Sequence, residues 1–342
     1  MDIIKYILKR LFHFVFVLIG LSILIFIIAR LMPGNPARAA LGPRTPQWAI
    51  DRLVEEMHLD EPIYIQYYYW IRDALQGDLG LSLVTRRNVL ADIKQFAPAS
   101  LELALHSAII IGIFGIVFGA VSGWYNNTWV DNSVRVLAYT GVITPSFVFA
   151  IFFMLLFSFV LGILPAIGRF PSDMDPPTHI TGLYTLDSLL TGDFRKYLLS
   201  LKYILMPAAA LAVGPLSQES RITRSSMVSN LKKDYIAAER SSGIPERVIM
   251  FKYLLKPSMI PTISIFGLDF AATIGNAFVV ELIFNWPGLS RYGMDAMLQK
   301  DLNAIVAVVM VYGILFMVVN LLVDLVIGIL DPRIRIEARS RG

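Results

Sequence analysis

Cysteine is absent from this sequence, which excludes disulfides and thiolate metal sites. Charge is scarce: Asp, Glu, Lys and Arg make up 16% of the residues, against about 25% in soluble domains. Histidine is nearly missing, and the four present (His13, His58, His106 and His179) stand far apart without metal-ligand spacing. There is no Gly-x-x-x-x-Gly-Lys-Ser/Thr loop to cradle nucleotide phosphates and no Gly-x-Ser-x-Gly elbow to carry a nucleophile. A chain of this kind that moves something uphill takes its energy from another subunit or from an ion gradient. What the sequence has in quantity is apolar residues, 56% of 342, with a mean hydropathy of +0.63. That composition is a membrane protein's. The net charge of +4 does not point to nucleic acid, because the basic residues gather in particular loops, as orientation in a bilayer requires.

The apolar runs predict an all-α integral membrane protein with six transmembrane helices. A basic start (Lys5, Lys9, Arg10) precedes the first span at 11–32, which is longer than the h-region of a signal peptide and ends without a small-residue cleavage site. Residues 33–98 read as a large extracytoplasmic insertion, broken at Pro33-Gly-Asn-Pro36, 77–80 and Pro98. Within it, 48–59 and 62–75 pattern as amphipathic helices, the second rich in aromatics suited to the membrane boundary: a cap on the bilayer surface, or a docking face for an external partner. Further spans are expected at 101–124 and 134–164, with a kink at Pro145, and residues 165–200 read as a surface loop with little regular structure. Only fourteen apolar residues (203–216) mark the fourth span, interrupted by Pro207 and Pro215. Orientation requires it nonetheless, because the basic loop that follows belongs in the cytoplasm. Spans at 262–283 and 302–330 complete a core at 99–330, and the basic tail 331–342 returns both ends to the cytoplasm.

Between the fourth and fifth spans lies a charged cytoplasmic elbow at 234–256, patterned as two short helices. Asp234 suits an N-cap, Gly243 a positive φ at the first helix's end, and Pro245 the first position of the second helix, which Pro257 is expected to stop or kink. Polar residues inside spans point to a pathway or to bundle-holding pairs. Asp269 and Asn276, seven apart on the fifth span, share a helix face; Glu281 lies near that span's external end, Gln218 and Glu219 close the fourth, and Asp324 sits in the sixth. An ion-coupled secondary transporter and, more distantly, an intramembrane enzyme remain open on these residues.

The run Asp234-Tyr235, Ala238-Glu239-Arg240-Ser-Ser-Gly243 and Pro257-Ser-Met-Ile-Pro261 resembles the EAA loop of ABC importer permeases, most closely those of the peptide and nickel branch. Gln66-Tyr-x-x-Trp70, Gly77-Asp-Leu-Gly-x-Ser82, Pro98-Ala-Ser-Leu-Glu-Leu103, Arg221-x-x-Arg224-Ser-Ser-Met227, Glu281-x-x-Phe284-x-Trp-Pro-Gly288 and Asp331-Pro-Arg333 extend the resemblance in order along the chain. Two positions depart from the pattern: Ala237 replaces the first Glu of the loop, and Pro257 stands where asparagine is more usual. The resemblance implies a permease of the prokaryotic inner membrane, not itself an enzyme and without a cofactor of its own. Its partners would be a second homologous permease, two ATPase subunits that bind ATP and Mg, and an extracytoplasmic substrate-binding protein. Tyr235, Glu239, Arg240, Gly243, Ile244 and Arg247 would dock the elbow in an ATPase, and Asp269, Asn276 and Glu281 would belong to the translocation pathway. The cargo in this family ranges over dipeptides, oligopeptides, nickel, glutathione and oligosaccharides.

Overall fold

A computed structural model describes residues 3–31, 36–42, 44–56 and 58–330. The break at Pro33-Gly-Asn and the basic tail 331–342 lie outside the described residues, as does the side chain of Asp324. Among the described residues the fold is helical, with a single isolated β-bridge between Leu81 and Asn88. In chain order the helices are α1 (Ile3–Leu31), α2 (Pro36–Leu41), α3 (Gln47–Glu56), α4 (Ile63–Leu75), α5 (Val89–Trp124), α6 (Trp129–Ile143) and α7 (Ser146–Phe153), which runs on as a π-helix over Met154–Val160. They continue with α8 (Tyr184–Leu190), α9 (Phe194–Leu231), α10 (Asp234–Ser241), α11 (Glu246–Val248), a π-helical stretch Ile249–Leu255, α12 (Lys256–Asn276), α13 (Phe278–Ile283), α14 (Leu289–Gln299) and α15 (Leu302–Leu330). Among the described residues five stretches are long and apolar enough to cross a membrane: Arg10–Leu31, Val89–Trp124, Phe194–Leu231, Glu246–Asn276 and Leu302–Val323. They become six if α6 and the α7 segment count as one broken span.

Proline explains most differences from the sequence-based boundaries. The expected third span is not one kinked helix: it turns by 108° between α6 and α7. Thr144 (ψ 124°) and Pro145 (ψ 147°) are both extended, as the steric demand of a proline ring on the preceding residue favours. The prolines inside the other long helices break nothing. Pro98 lies inside α5 rather than before it, and Pro207 and Pro215 lie inside α9, a 38-residue helix that extends the meagre fourth span at both ends. Pro257 sits in the first turn of α12, so the helical run from Glu246 to Asn276 continues past it. In a bilayer a broken helix frees backbone groups that no water is present to bind, so continuity wins where neighbours accommodate the ring.

The chain divides into two compact units, 2–100 with 287–317, and 101–286 with 318–342. In the first, the amphipathic helices expected after α1 form as α3 and α4. The aromatic stripe of α4 splits by face: Tyr64 and Tyr68 are exposed, whereas Tyr67 and Trp70 pack on Phe26 of α1, with Tyr67 also hydrogen-bonded to Ser22 at 2.8 Å. The cap therefore does not stand alone. Its unit is closed by α14 and the first half of α15, where Val89 and Ile93 pack with Leu289, Tyr292, Ala304 and Val308. Buried Asp301 is the polar hub, accepting from Ser82 Oγ (2.6 Å) and from the backbone N–H groups of Leu83 (2.6 Å) and Ala304 (3.1 Å). This pins the Gly77–Ser82 motif, whose Gly80 adopts φ +81°.

In the second unit α9 packs against α6, α7, α8 and α12. Its contact with α5 runs along Gly115, Gly119 and Gly123, where an added Cβ would lie 2.6 Å from Glu219 Cβ, 2.5 Å from Thr223 Cβ and 2.8 Å from Met227 Cβ respectively. Small residues four apart bring two backbones together, the usual means of joining helices where lipid supplies no hydrophobic drive. The 165–200 segment is better ordered than its composition suggests. Buried Arg169 pairs with buried Glu102, donates to the carbonyl of Gly182 (2.6 Å) and lies 3.7 Å from the Tyr184 ring centroid, and Glu102 also accepts from Thr185. Asp187 is likewise buried. Burial would raise its carboxyl, but hydrogen bonds from Thr181, Ile180 and Gly182 outweigh this and hold it below the usual carboxylate range.

Gly119→Leu should lower stability by about 1–3 kcal/mol or more, because neither Thr223 Cβ nor the Ser220 carbonyl, 2.6 Å from the added Cβ, is free to move away. A thermal melt of the purified protein checks this, and an unchanged Tm would refute the close-packed seam.

Candidate functional site

The elbow closes for local reasons. Lys233, in an extended conformation, rather than Asp234, occupies the N-cap of α10, and Asp234 falls in the first turn, where a negative charge suits the helix dipole. At the other end the Gly243 N–H donates to the Arg240 carbonyl (3.0 Å) and the Ile244 N–H to the Glu239 carbonyl (3.3 Å), with Gly243 at φ +75°. These are the two bonds of a Schellman termination, which places a left-handed residue just past the helix. A Cβ on Gly243 would meet nothing within 4 Å, so its constraint is conformational and not one of space. Pro245 is the N-cap of α11 rather than its first residue. Across the turn Arg240 forms a two-point pair with Glu246, Nε to Oε1 at 2.9 Å and Nη2 to Oε2 at 3.3 Å. Both side chains are half exposed, so the pair adds at most about 1 kcal/mol to the turn.

An apolar root holds the elbow to the spans. Ile236, Ile249 and Leu254 are buried with Met227 of α9 and Ala120 of α5, and Ile244 and Tyr253 pack against them. Of the six expected docking residues, Ile244 thus faces this root. Gly243, Arg240 and Arg247 are exposed, Glu239 is half-buried, and Tyr235 is 38% exposed. Partial burial raises the Tyr235 hydroxyl above its ordinary pKa, and the group donates to the Tyr253 carbonyl at 3.3 Å. That bond gives the Tyr253 carbonyl a donor where the residue four positions on, Pro257, has no N–H, next to the π-helical stretch Ile249–Leu255. Glu246, Tyr253 and exposed Phe251 belong to the elbow and were not among the expected residues; nothing in their spacing separates them from an ordinary amphipathic face.

From the elbow inward, α9 and α12 run antiparallel and are joined by polar rungs. Asn230 Nδ2 donates to Ser258 Oγ at 2.8 Å, and the Thr223 and Thr262 hydroxyls meet at 3.0 Å. The next rung brings Glu219 within electrostatic reach of Asp269, about three helical turns from Ser258. Glu219 is 1% exposed, and neither of its carboxylate oxygens, nor Asp269 Oδ2, has a hydrogen-bond partner among the described residues. The sequence places Glu219 only at the end of a span; its nearness to a second carboxylate, Asp269, comes from helix packing. Asn276 is exposed, one face with half-buried Asp269. Glu281 is fully buried, its carbonyl accepting the Trp286 N–H at 2.8 Å. Phe284 and Trp286 are buried beside it, and the Phe284 carbonyl accepts from Gly168 at 2.8 Å, so the Glu281–Gly288 motif latches the ordered 165–193 segment.

Long apolar helices joined by polar rungs, with a charged elbow rooted on them, fit the class of membrane transport subunits. The chain matches the model of the binding-protein-dependent transport system inner membrane component over residues 115–336, and the N-terminal model of the same family over residues 3–104. It therefore belongs to that family, the permease subunits of ABC importers. It is 36% identical to the probable D,D-dipeptide transport system permease protein of Escherichia coli over 95% of this chain and 96% of that protein. It is 37% identical to a dipeptide transport system permease protein of Alkalihalophilus pseudofirmus over 97% of this chain and 99% of that protein. It is 33% identical to a glutathione transport system permease protein of Shigella flexneri, again over 97% and 99%. Neither the family nor these relatives point to the ion-coupled alternative.

Tyr235→Phe should cost about 0.5–1 kcal/mol through loss of the bond to Tyr253. In a Pro257→Ala background, where the alanine N–H supplies the missing donor, the same change should cost less. A double-mutant cycle read by denaturant unfolding checks this; equal losses in both backgrounds would show that the hydroxyl does not compensate for the proline.

Proposed function

We propose that this chain forms half of the translocation pathway of an ATP-driven importer of peptides or a related small solute. A second, homologous permease supplies the other half, an extracytoplasmic binding protein delivers cargo, and two ATPase subunits work from the cytoplasmic side. The cargo class follows the names of the relatives, which are dipeptide and glutathione systems. The topology is six spans, the bent α6–α7 pair counted as one, with both termini in the cytoplasm. The basic residues that crowd the elbow, Lys232, Lys233, Arg240, Arg247, Lys252 and Lys256, support that orientation.

The observation that carries the reading is the elbow's construction. It is stiffened by a Schellman turn and a two-point ion pair, and rooted in the apolar cluster where α5, α9 and α12 begin or end. A lever must be rigid and anchored to pass a displacement inward. Tyr235, Glu239, Arg240, Gly243 and Arg247 form its docking side, and Ile244 seats it. Nucleotide binding would close the ATPase pair, move the elbows and bias the spans between inward-facing and outward-facing states. Asp269 and Asn276 line the pathway, with Glu219 behind Asp269, and Glu281 holds the pathway's outer wall.

Because the chain has no cysteine, a single cysteine at Arg247 gives an unambiguous cross-link to the ATPase subunit, and absence of that cross-link in the assembled transporter would sink the docking role. Gly243→Val should abolish ATP-driven uptake while membrane insertion and subunit assembly persist, since a β-branched residue resists φ near +75°. Normal uptake by this variant would refute the lever. Asp269→Asn should change uptake rate or cargo preference more than the yield of assembled complex; a loss confined to assembly would make Asp269 a structural residue.

A further inference from the structure

Between α5 and α9, within the unit that holds 101–286, lies a groove of about 410 Å³. Small-ligand sites range over roughly 300–1,000 Å³. Apart from His106 and Lys202 every residue lining the groove is apolar: α5 supplies Ile109 and Ile110, α9 supplies Leu201, Leu205 and Ala208 among others, and Leu164 comes from the segment after α7. Both helices are long and apolar enough to cross a membrane. Ile109 is 55% exposed, Leu205 50% and Leu198, also on the lining, 64%, so the groove opens on a face suited to lipid.

The register of the two helices fixes where its polar end lies. They run parallel, since Gly115 abuts Glu219 and Gly119 abuts Thr223, and the Ser107 hydroxyl reaches the Ala208 carbonyl at 3.1 Å, so residues 107 and 208 are level. Lys202 stands about 9 Å nearer the start of α9, by the helical rise per residue, at the end of that helix away from the elbow. Ile109 and Ile110 lie on the far side of the 107–208 level. The groove therefore carries a cation at one end and an apolar floor leading away from it. Lys202 is exposed and has no hydrogen-bond or ion-pair partner among the described residues. The carboxylates nearest in sequence on the two helices are committed: buried Glu102 pairs with Arg169, and Asp193 accepts from the Lys196 backbone N–H at 3.0 Å. His106 is tied to its own helix, its Nδ1 donating to the Glu102 carbonyl at 2.8 Å. Exposed Arg195, likewise without a partner among the described residues, lies seven residues before Lys202 on the same face of α9, with Leu198 between them.

We infer that this groove holds an acyl chain of an anionic glycerophospholipid whose phosphate pairs with the Lys202 ammonium. A lysine stem lies along apolar surface while its charged head stays at the polar boundary, which is where a headgroup sits above its own tail. Basic sites between spanning helices favour acidic headgroups. A zwitterionic headgroup would bring a second ammonium to a face that already carries Lys202 and Arg195, so net negative charge selects the lipid. A protein helix seated in the groove would cover Lys202 and would have to bring a counter-charge of its own; an anionic phospholipid carries tail and counter-charge together. The site depends neither on the elbow nor on the identity of the cargo.

The test uses the full-length chain in detergent, offered equal amounts of phosphatidylglycerol and phosphatidylethanolamine with the same acyl chains, and native mass spectrometry of the lipid retained. Phosphatidylglycerol should be retained in preference, and Lys202→Gln should cut that preference by about fivefold, the worth of one basic residue at a charged lipid surface, while Lys202→Arg preserves it. Lys202 is exposed, so the variants are expected to fold. A phosphatidylglycerol with a photoactivatable group in its tail locates the lipid: labelling of the stretches around Ile109 and Leu205 supports the assignment, and labelling confined to other parts of the chain overturns it. Equal retention of the two lipids, or a preference unchanged in Lys202→Gln, also overturns it. So does a single cysteine at Leu205 that cross-links to another subunit in the native membrane, because a protein then covers the groove.

Discussion

Helices in a bilayer gain no hydrophobic advantage from touching one another, because lipid tails are as apolar as leucine. What holds this structure's second unit together is close approach and polar pairing along α9. Gly115, Gly119 and Gly123 of α5 let α9 come within backbone distance on one side. α9 also reaches α12, through Asn230–Ser258 and Thr223–Thr262. Arg224 adds a third attachment, binding buried Asp131 at the start of α6, with Ser122 of α5 donating to the same carboxylate at 2.6 Å. Nearly everything assigned a role in transport is positioned by this one helix.

The same seam relates the elbow to the interior. Met227 of α9 lies in the apolar root of the elbow, four residues beyond Thr223 and eight beyond Glu219, so all three sit along one stripe of a single rigid rod. A displacement of the elbow cannot leave the Glu219–Asp269 rung untouched unless α9 bends, and packed helices shift as discrete bodies rather than deforming continuously. The π-helical stretch at 249–255 occurs just before a proline, Pro257. There the regular hydrogen-bond ladder is already disturbed, and a change of register costs least.

Polar burial is handled in two ways. Asp301, Asp131, Asp187 and Glu102 are each surrounded by donors and serve as fixed points around which loops are tied. Glu219 and Asp269 on one hand, and Arg30, Gln66 and Trp70 on the other, keep atoms without partners. Fully paired groups specify a structure; unpaired ones raise its energy until something else satisfies them.

Much of this was legible in the residues alone. Apolar length gave the membrane class, Gly243 the left-handed turn, and the charged run at 234–256 the elbow, because each depends on local backbone preference or on the run's own composition. The motifs likewise carried the family. Distances across the bundle were not legible. That Pro145 breaks a span while Pro98, Pro207 and Pro257 do not, that Ile244 turns inward, that Glu281 is sealed in and Glu219 meets Asp269, all depend on which helix lies alongside. At Pro257 a neighbour donates to the carbonyl four positions back, Tyr235 to Tyr253. Sequence determined which segments are apolar and long enough for a bilayer and where the charged elbow lies; tertiary packing decided which polar groups are satisfied, since a hydrogen bond between residues far apart in the chain exists only once the helices that carry them are in contact.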